Sequence, residues 1–226
     1  MQKFYQSSQL NIPNHSKNQN EVYYKRCNEF DKNQIGFNKT VMLGDSITEG
    51  GQDWNKYFNT ENIVNRGISG DTTLGILARL NEIYFYKPIN VFLLIGINDI
   101  FNTDSPNRKN ITPKSVANNI LRIAYSVHKH SPSTNFYIQT TLPINDKIFY
   151  KLAGYFPKHK VHLKNQINQI NLLVKNAIKE KIYTLIDLHD TFLDNNKLLS
   201  KKFTYDGVHL NKTGYNHWSQ VIHNYM

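Results

Sequence analysis

Five short apolar runs, at residues 40–43, 63–65, 91–95, 135–139 and 183–187, alternate with longer stretches of helical periodicity. The periodic stretches are residues 72–83, 112–130 and 162–180, with a further helical pattern at 21–32 ahead of the first run. Strands separated by helices cannot be joined as hairpins. They pair in parallel through right-handed crossovers, which requires helices over both faces of the sheet. The run "VFLLI" at 91–95 is apolar throughout, as a central strand covered on both faces must be. The predicted class is therefore α/β. A chain of 226 residues is sufficient for one such domain over 21–226, preceded by a polar, loosely ordered segment at 1–20.

Composition narrows the function classes. The chain carries 27 Lys plus Arg against 17 Asp plus Glu, a formal charge of +10, which raises the question of a polyanionic partner. No run of five basic residues occurs, and nucleic-acid binding needs a clustered footprint, so nucleic acid is not expected as partner. Cys27, the only cysteine, excludes an intrachain disulfide and reads as a free thiol on the 21–32 helix. The longest apolar run, "VFLLIGI", is too short to span a bilayer, and residues 1–20 contain no apolar signal core. A soluble, cytoplasmic protein is the resulting expectation.

In open parallel sheets, ligands bind beyond the carboxyl ends of the strands. Those ends read "GDSIT" from Gly44, "NRGISGDTT" from Asn65 and "GIND" from Gly96, and the chain closes with "DGVHL" from Asp206. Ser46 in the first is either the cap of a helix or a nucleophile. A nucleophilic serine needs a base and a carboxylate to orient it, and Asp206 with His209 supplies both within one turn. Alternatively, Asp206 caps the last helix and His209 lies on the surface. Gly70 could lend a bare backbone N–H to an oxyanion and Asn98 a side-chain amide, or both are turn formers.

Taken in order, these four stretches resemble the four sequence blocks of the SGNH hydrolases, also called the GDSL esterase and lipase family. The resemblance implies Ser46 as nucleophile, His209 as general base and Asp206 as its orienting carboxylate. It implies an oxyanion hole from the backbone N–H groups of Ser46 and Gly70 and the amide of Asn98. It implies a three-layer α/β/α sandwich with a flavodoxin-like, five-stranded parallel sheet, and no cofactor or metal. The form "NRGISGDTT" is similar to the branch that contains platelet-activating-factor acetylhydrolase subunits and bacterial carbohydrate O-acetylesterases. That favours a short acyl group, acetyl foremost, on a small-molecule or saccharide alcohol. A thioesterase or lysophospholipase of the same fold, and a non-catalytic binding module, are the alternatives. A homo-oligomer is left open.

Among the remaining residues, Asp45 and Asp99 are expected to hold loops through hydrogen bonds rather than to act as acids or bases. His159 and His162 have helical metal-ligand spacing but no accompanying carboxylate or cysteine cluster, so they read as a surface pair. The connection at 141–160 is long and carries Phe149, Tyr150, Tyr155 and Phe156 between lysines. Tyr150 and Tyr155 are candidates for a sugar-stacking wall of the alcohol pocket; the alternative is that these aromatics pack the loop onto the body.

Overall fold

The computed structural model describes residues 2–5, 11–101, 110–177 and 182–226. Five strands form one sheet: β1 (Thr40–Gly44), β2 (Ile63–Gly67), β3 (Asn90–Leu94), β4 (Asn135–Gln139) and β5 (Thr184–Ile186). Their order is β2-β1-β3-β4-β5 and every pair is parallel, which is the flavodoxin order. β1 and β3 are buried at all five positions, as central strands covered on both faces require.

The described helices are α1 (Lys17–Lys32), α2 (Ser46–Glu49), α3 (Asn55–Phe58), α4 (Thr73–Leu77), α5 (Asn81–Tyr86), α6 (Ile97–Phe101), α7 (Pro113–His130), α8 (Asp146–Ala153), α9 (Leu163–Asn176), α10 (Leu188–Thr191) and α11 (Lys212–Ile222). They flank the sheet on both faces. α7 shows why the sequence makes such a helix. Thr112 Oγ1 accepts from Ser115 N and Ser115 Oγ accepts from Thr112 N, while Pro113 starts the first turn and three basic side chains end the last. Its buried stripe, Val116, Ile120, Ile123, Ala124 and Val127, recurs at helical spacing and packs on β4 and α9. Each large aliphatic side chain in that stripe contributes about 1.5–3 kcal/mol by leaving water.

Two features differ from the sequence expectation. The periodic stretch 72–83 forms two helices, α4 and α5, rather than one. The break falls at Arg79, whose buried guanidinium turns inward to Asp71, at 2.9 Å, and to the Gly44 carbonyl, at 3.0 Å. The polar segment at 1–20 also contributes to the core. Phe4, Tyr5 and Ile12 are buried with Tyr23, Cys27 and Phe30 of α1 and with Ile68. Tyr5 Oη donates to Glu82, which also takes Arg66 Nε at 2.9 Å and Ile35 N at 2.6 Å. This buried cluster ties the N-terminal segment, β2 and α5 together. It also encloses the thiol of Cys27, whose pKa burial pushes up to about 12.

Candidate active site

β1 delivers the chain to the carboxyl edge of the sheet beside β3, where the strand order reverses. Asp45 then caps α2, its Oδ1 accepting from Ile47 N at 2.9 Å, and Ser46 is the first residue of that helix. Capping is therefore the work of Asp45, and the Ser46 hydroxyl is directed elsewhere. β2 can lie this close to α2 because Gly67 has no side chain; a Cβ there would overlap the backbone of Glu49.

Ser46 Oγ lies 3.0 Å from His209 Nε2, and His209 Nδ1 lies 2.6 Å from Asp206 Oδ2. Asp206 does not cap the last helix. Asn211 does so, accepting from Gly214 N. The other carboxylate oxygen of Asp206 accepts instead from the backbone of Val208 at 2.9 Å and of His209 at 2.7 Å. Thr204 Oγ1 closes the turn, accepting from Gly207 N and donating to the His209 carbonyl, while the Gly207 carbonyl accepts from Asn145 N at the start of α8. The ring of His209 is thus held from its own backbone outward.

The electrostatics follow from these bonds. Partial burial alone would raise the Asp206 carboxyl, but the His209 imidazole and the two backbone donors outweigh it and leave it below the usual carboxylate range. Burial would lower His209; the Asp206 hydrogen bond and charge, with a smaller contribution from Asp45, outweigh that and raise it. An ionised Asp206 can only accept, so it fixes the proton on Nδ1 and leaves Nε2 of the neutral ring as acceptor for the Ser46 hydroxyl. Such an arrangement can take a proton from a hydroxyl and return it to a leaving group. Burial pushes the Asp45 carboxyl up to about 7, and its side chain holds the turn through the cap bond from Ile47 N.

Gly70 sits in a turn after β2 with φ +79°, the left-handed region that favours glycine. Its carbonyl accepts from Gln19 Nε2 at 2.9 Å. Asn98, on α6 just beyond β3, donates through Nδ2 to the Asp71 carbonyl at 3.0 Å, one residue along from Gly70. Asp99 accepts from Thr73 N and Thr73 Oγ1, so it ties α6 to the start of α4, the loop-holding role expected of it. Arg79 connects the same loop to the Gly44 carbonyl at the end of β1.

A pocket of about 530 Å³ opens at Ser46 and His209, lined also by Arg26, Glu49, Gly50, Gln52, Asn65, Ser69 and Tyr205. Tyr205 is 61% exposed and its ring lies near-parallel to that of His209, 6.0 Å away. Tyr150 and Tyr155 are equally exposed, on and just after α8, but neither lines this pocket. Phe149 and Phe156, by contrast, meet the ring of Phe101 edge to face and pack the connection onto the body. His162 pairs with Asp146 at 3.3 Å, and no group of three or more His, Cys, Asp or Glu among the described residues is placed to hold a metal. No described helix is long and apolar enough to cross a membrane. The sequence reading missed Arg26, Glu49, Gln52, Asn65, Ser69 and Tyr205. Glu49, Asn65 and Ser69 stand in or beside the quoted blocks and Tyr205 beside Asp206, but Arg26 comes to the pocket only through the packing of α1.

Comparison with known proteins agrees with this architecture. The model of the GDSL-like Lipase/Acylhydrolase family matches residues 42–217. The platelet-activating factor acetylhydrolase IB subunit alpha1 of Rattus norvegicus is 24% identical over 191 residues, covering 82% of this chain and 73% of that protein. A solved structure from Streptococcus pneumonia, assigned as a platelet activating factor, has a TM-score of 0.72 at 27% identity and covers 92% of each chain. A GDSL-like lipase from Bacteroides thetaiotaomicron shares the fold, with a TM-score of 0.70 at 20% identity over 90% of this chain and 96% of that one. The matched segment contains Ser46, Gly70, Asn98, Asp206 and His209, and the chain belongs to the GDSL-like lipase/acylhydrolase family of ester-hydrolysing enzymes, the SGNH hydrolases.

Proposed function

We propose that the protein is a serine esterase that removes short acyl groups, acetyl foremost, from a polar alcohol such as a saccharide, through an acyl-enzyme on Ser46. Ser46 Oγ attacks the ester carbonyl as His209 Nε2 takes its proton, and Asp206 stabilises the imidazolium. The negative oxygen of the tetrahedral intermediate is held by the N–H groups of Ser46 and Gly70 and the amide of Asn98. Collapse expels the alcohol, which takes the proton from His209. Water then attacks the acyl-enzyme, His209 accepts its proton, and the carboxylic acid leaves as Ser46 recovers its hydrogen.

The observation that carries the reading is the continuous Ser46–His209–Asp206 chain, at 3.0 and 2.6 Å, opening into a pocket lined by polar side chains and the ring of Tyr205. A long acyl chain gains about 0.8 kcal/mol for each CH₂ it buries against an apolar wall. Among the described residues, none that lines this pocket is aliphatic. The alcohol side suits a sugar: hydroxyl-bonding groups surround an exposed aromatic face. The relative from Rattus norvegicus is itself named for acetyl hydrolysis. Assay of p-nitrophenyl esters of increasing chain length, with acetate release from acetylated oligosaccharides, tests the proposal. The expected kcat/KM falls steeply beyond the shortest acyl groups. A maximum at eight carbons or longer would instead favour a lysophospholipase-like or thioesterase role.

A further inference from the structure

We propose that α1, which lies outside the segment matched by the family model, is a positioning element for the Gly70 loop, and that Gln19 is its central positioning residue. The inference rests on the proposed role of the Gly70 N–H as an oxyanion donor.

Three side chains from α1 and the turn before it reach residues 69–75 directly, and a fourth, Arg26, reaches Ser69 through Glu49. His15 Nε2 contacts Thr72 Oγ1 at 3.0 Å, Gln19 Nε2 donates to the Gly70 carbonyl at 2.9 Å, and Tyr23 Oη donates to the Gly75 carbonyl at 2.9 Å. Arg26 Nε lies 2.9 Å from Glu49 Oε1, and Glu49 Oε2 accepts from both N and Oγ of Ser69, at 2.7 and 2.5 Å. Gln19, Tyr23 and Arg26 stand at i, i+4 and i+7, so one face of one helix addresses the loop, Gln19 and Tyr23 directly and Arg26 by way of Glu49. The same side of that helix continues into the buried cluster of Tyr23, Cys27 and Phe30 with Phe4, Tyr5, Ile12 and Ile68.

Gln19 is held at both ends of its amide. Its Oε1 accepts from Ser16 N at 2.9 Å and its backbone N–H donates to Ser16 Oγ, the capping box that starts α1. The same amide then reaches the Gly70 carbonyl. The Ser69–Gly70 peptide, which carries the Gly70 N–H, is therefore flanked by two anchors: Glu49 on Ser69 and Gln19 on Gly70. A glycine at positive φ has the widest choice of backbone conformations, so a peptide beside it needs such anchors to keep its N–H aimed. An oxyanion donor acts through preorganisation, and small displacements of reacting geometry carry large rate penalties.

The test compares Gln19→Glu with Ser16→Ala in the full chain, using p-nitrophenyl acetate and a thermal melt. Gln19→Glu keeps an acceptor for Ser16 N but loses the donor to Gly70; Ser16→Ala weakens the cap and leaves the Gly70 bond in place. The expected result is a fall in kcat of roughly 10-fold for Gln19→Glu with KM within about twofold. Ser16→Ala should lower Tm by at least as much while kcat stays near wild type. Equal kcat for Gln19→Glu and wild type, with Asn98→Ala impaired, would overturn the positioning role alone. Parallel losses of kcat and Tm in both variants would also overturn it, making α1 a stability element. A wild-type protein that does not hydrolyse the ester, or an Asn98→Ala variant with unchanged kcat, would instead sink the underlying esterase reading.

Discussion

Nε2 of His209 sits 3.0 Å from Oγ of Ser46, a contact between side chains 163 residues apart in sequence. The fold makes it by bringing the end of β1 and the turn before α11 to the same edge of the sheet. Asp206 polarises the far side of the ring, so the pair has a definite pH signature.

Because Asp206 raises His209, the neutral ring that can accept a proton is reached only at higher pH. For p-nitrophenyl acetate, kcat/KM should rise with pH through a midpoint above about 6.5, the ordinary imidazole value. In Asp206→Asn the largest raising influence is gone and the midpoint should move down, while the plateau falls roughly 100-fold or more. A wild-type midpoint at or below that ordinary value would contradict the assignment of His209 as the base.

Asn98→Ala should lower kcat by roughly 100-fold with a smaller change in KM, since its amide binds the oxyanion better than the ground-state carbonyl. A raised KM at constant kcat would make Asn98 a substrate-binding residue instead.

Tyr205, and not Tyr150 or Tyr155, lines the pocket. Tyr205→Ala should therefore reduce kcat/KM for an acetylated oligosaccharide by roughly 5-fold, as expected for a lost stacking surface worth about 1 kcal/mol, and less for p-nitrophenyl acetate. The double variant Tyr150→Ala, Tyr155→Ala should leave both substrates nearly unchanged. The reverse pattern would return the alcohol wall to the 141–160 connection.

Glu82 is fully buried and takes bonds from Arg66, Ile35 N and Tyr5. Glu82→Ala would leave the Arg66 charge buried with its main partner gone, a loss of about 3–5 kcal/mol. Tm should fall by roughly 10 °C. A change within about 2 °C would show that the cluster adds little to stability.

The sequence made the sheet legible because each strand is a compact apolar run: the predicted runs and the observed strands agree to within about a residue at most ends. It made the contact between Ser46 and His209 legible only because the four blocks stand in a recognisable order; on spacing alone, Ser46 and Asp206 read equally well as caps. The structure separates these roles, giving the caps to Asp45 and Asn211. What was not legible depends on packing between distant segments. The break at Arg79 follows from an ion pair inside the protein, which helical periodicity does not register. Burial of Phe4, Tyr5 and Ile12 falls in a polar stretch without periodicity, and the approach of α1 to the Gly70 loop is visible only once both are folded. One local signal was available. Ser16 and Gln19 form a capping box, which marks the start of α1 at Lys17 rather than at residue 21.

The central claim is that Ser46 carries the acyl group. Rapid mixing with p-nitrophenyl acetate, acid quench and peptide mass spectrometry read this directly. An acetyl group should be found on the peptide containing Ser46. It should be absent in Ser46→Ala, whose turnover should fall by at least 1,000-fold with Tm within a few degrees of wild type. Acetyl on another residue, or more than about a tenth of wild-type turnover in Ser46→Ala, would contradict the account.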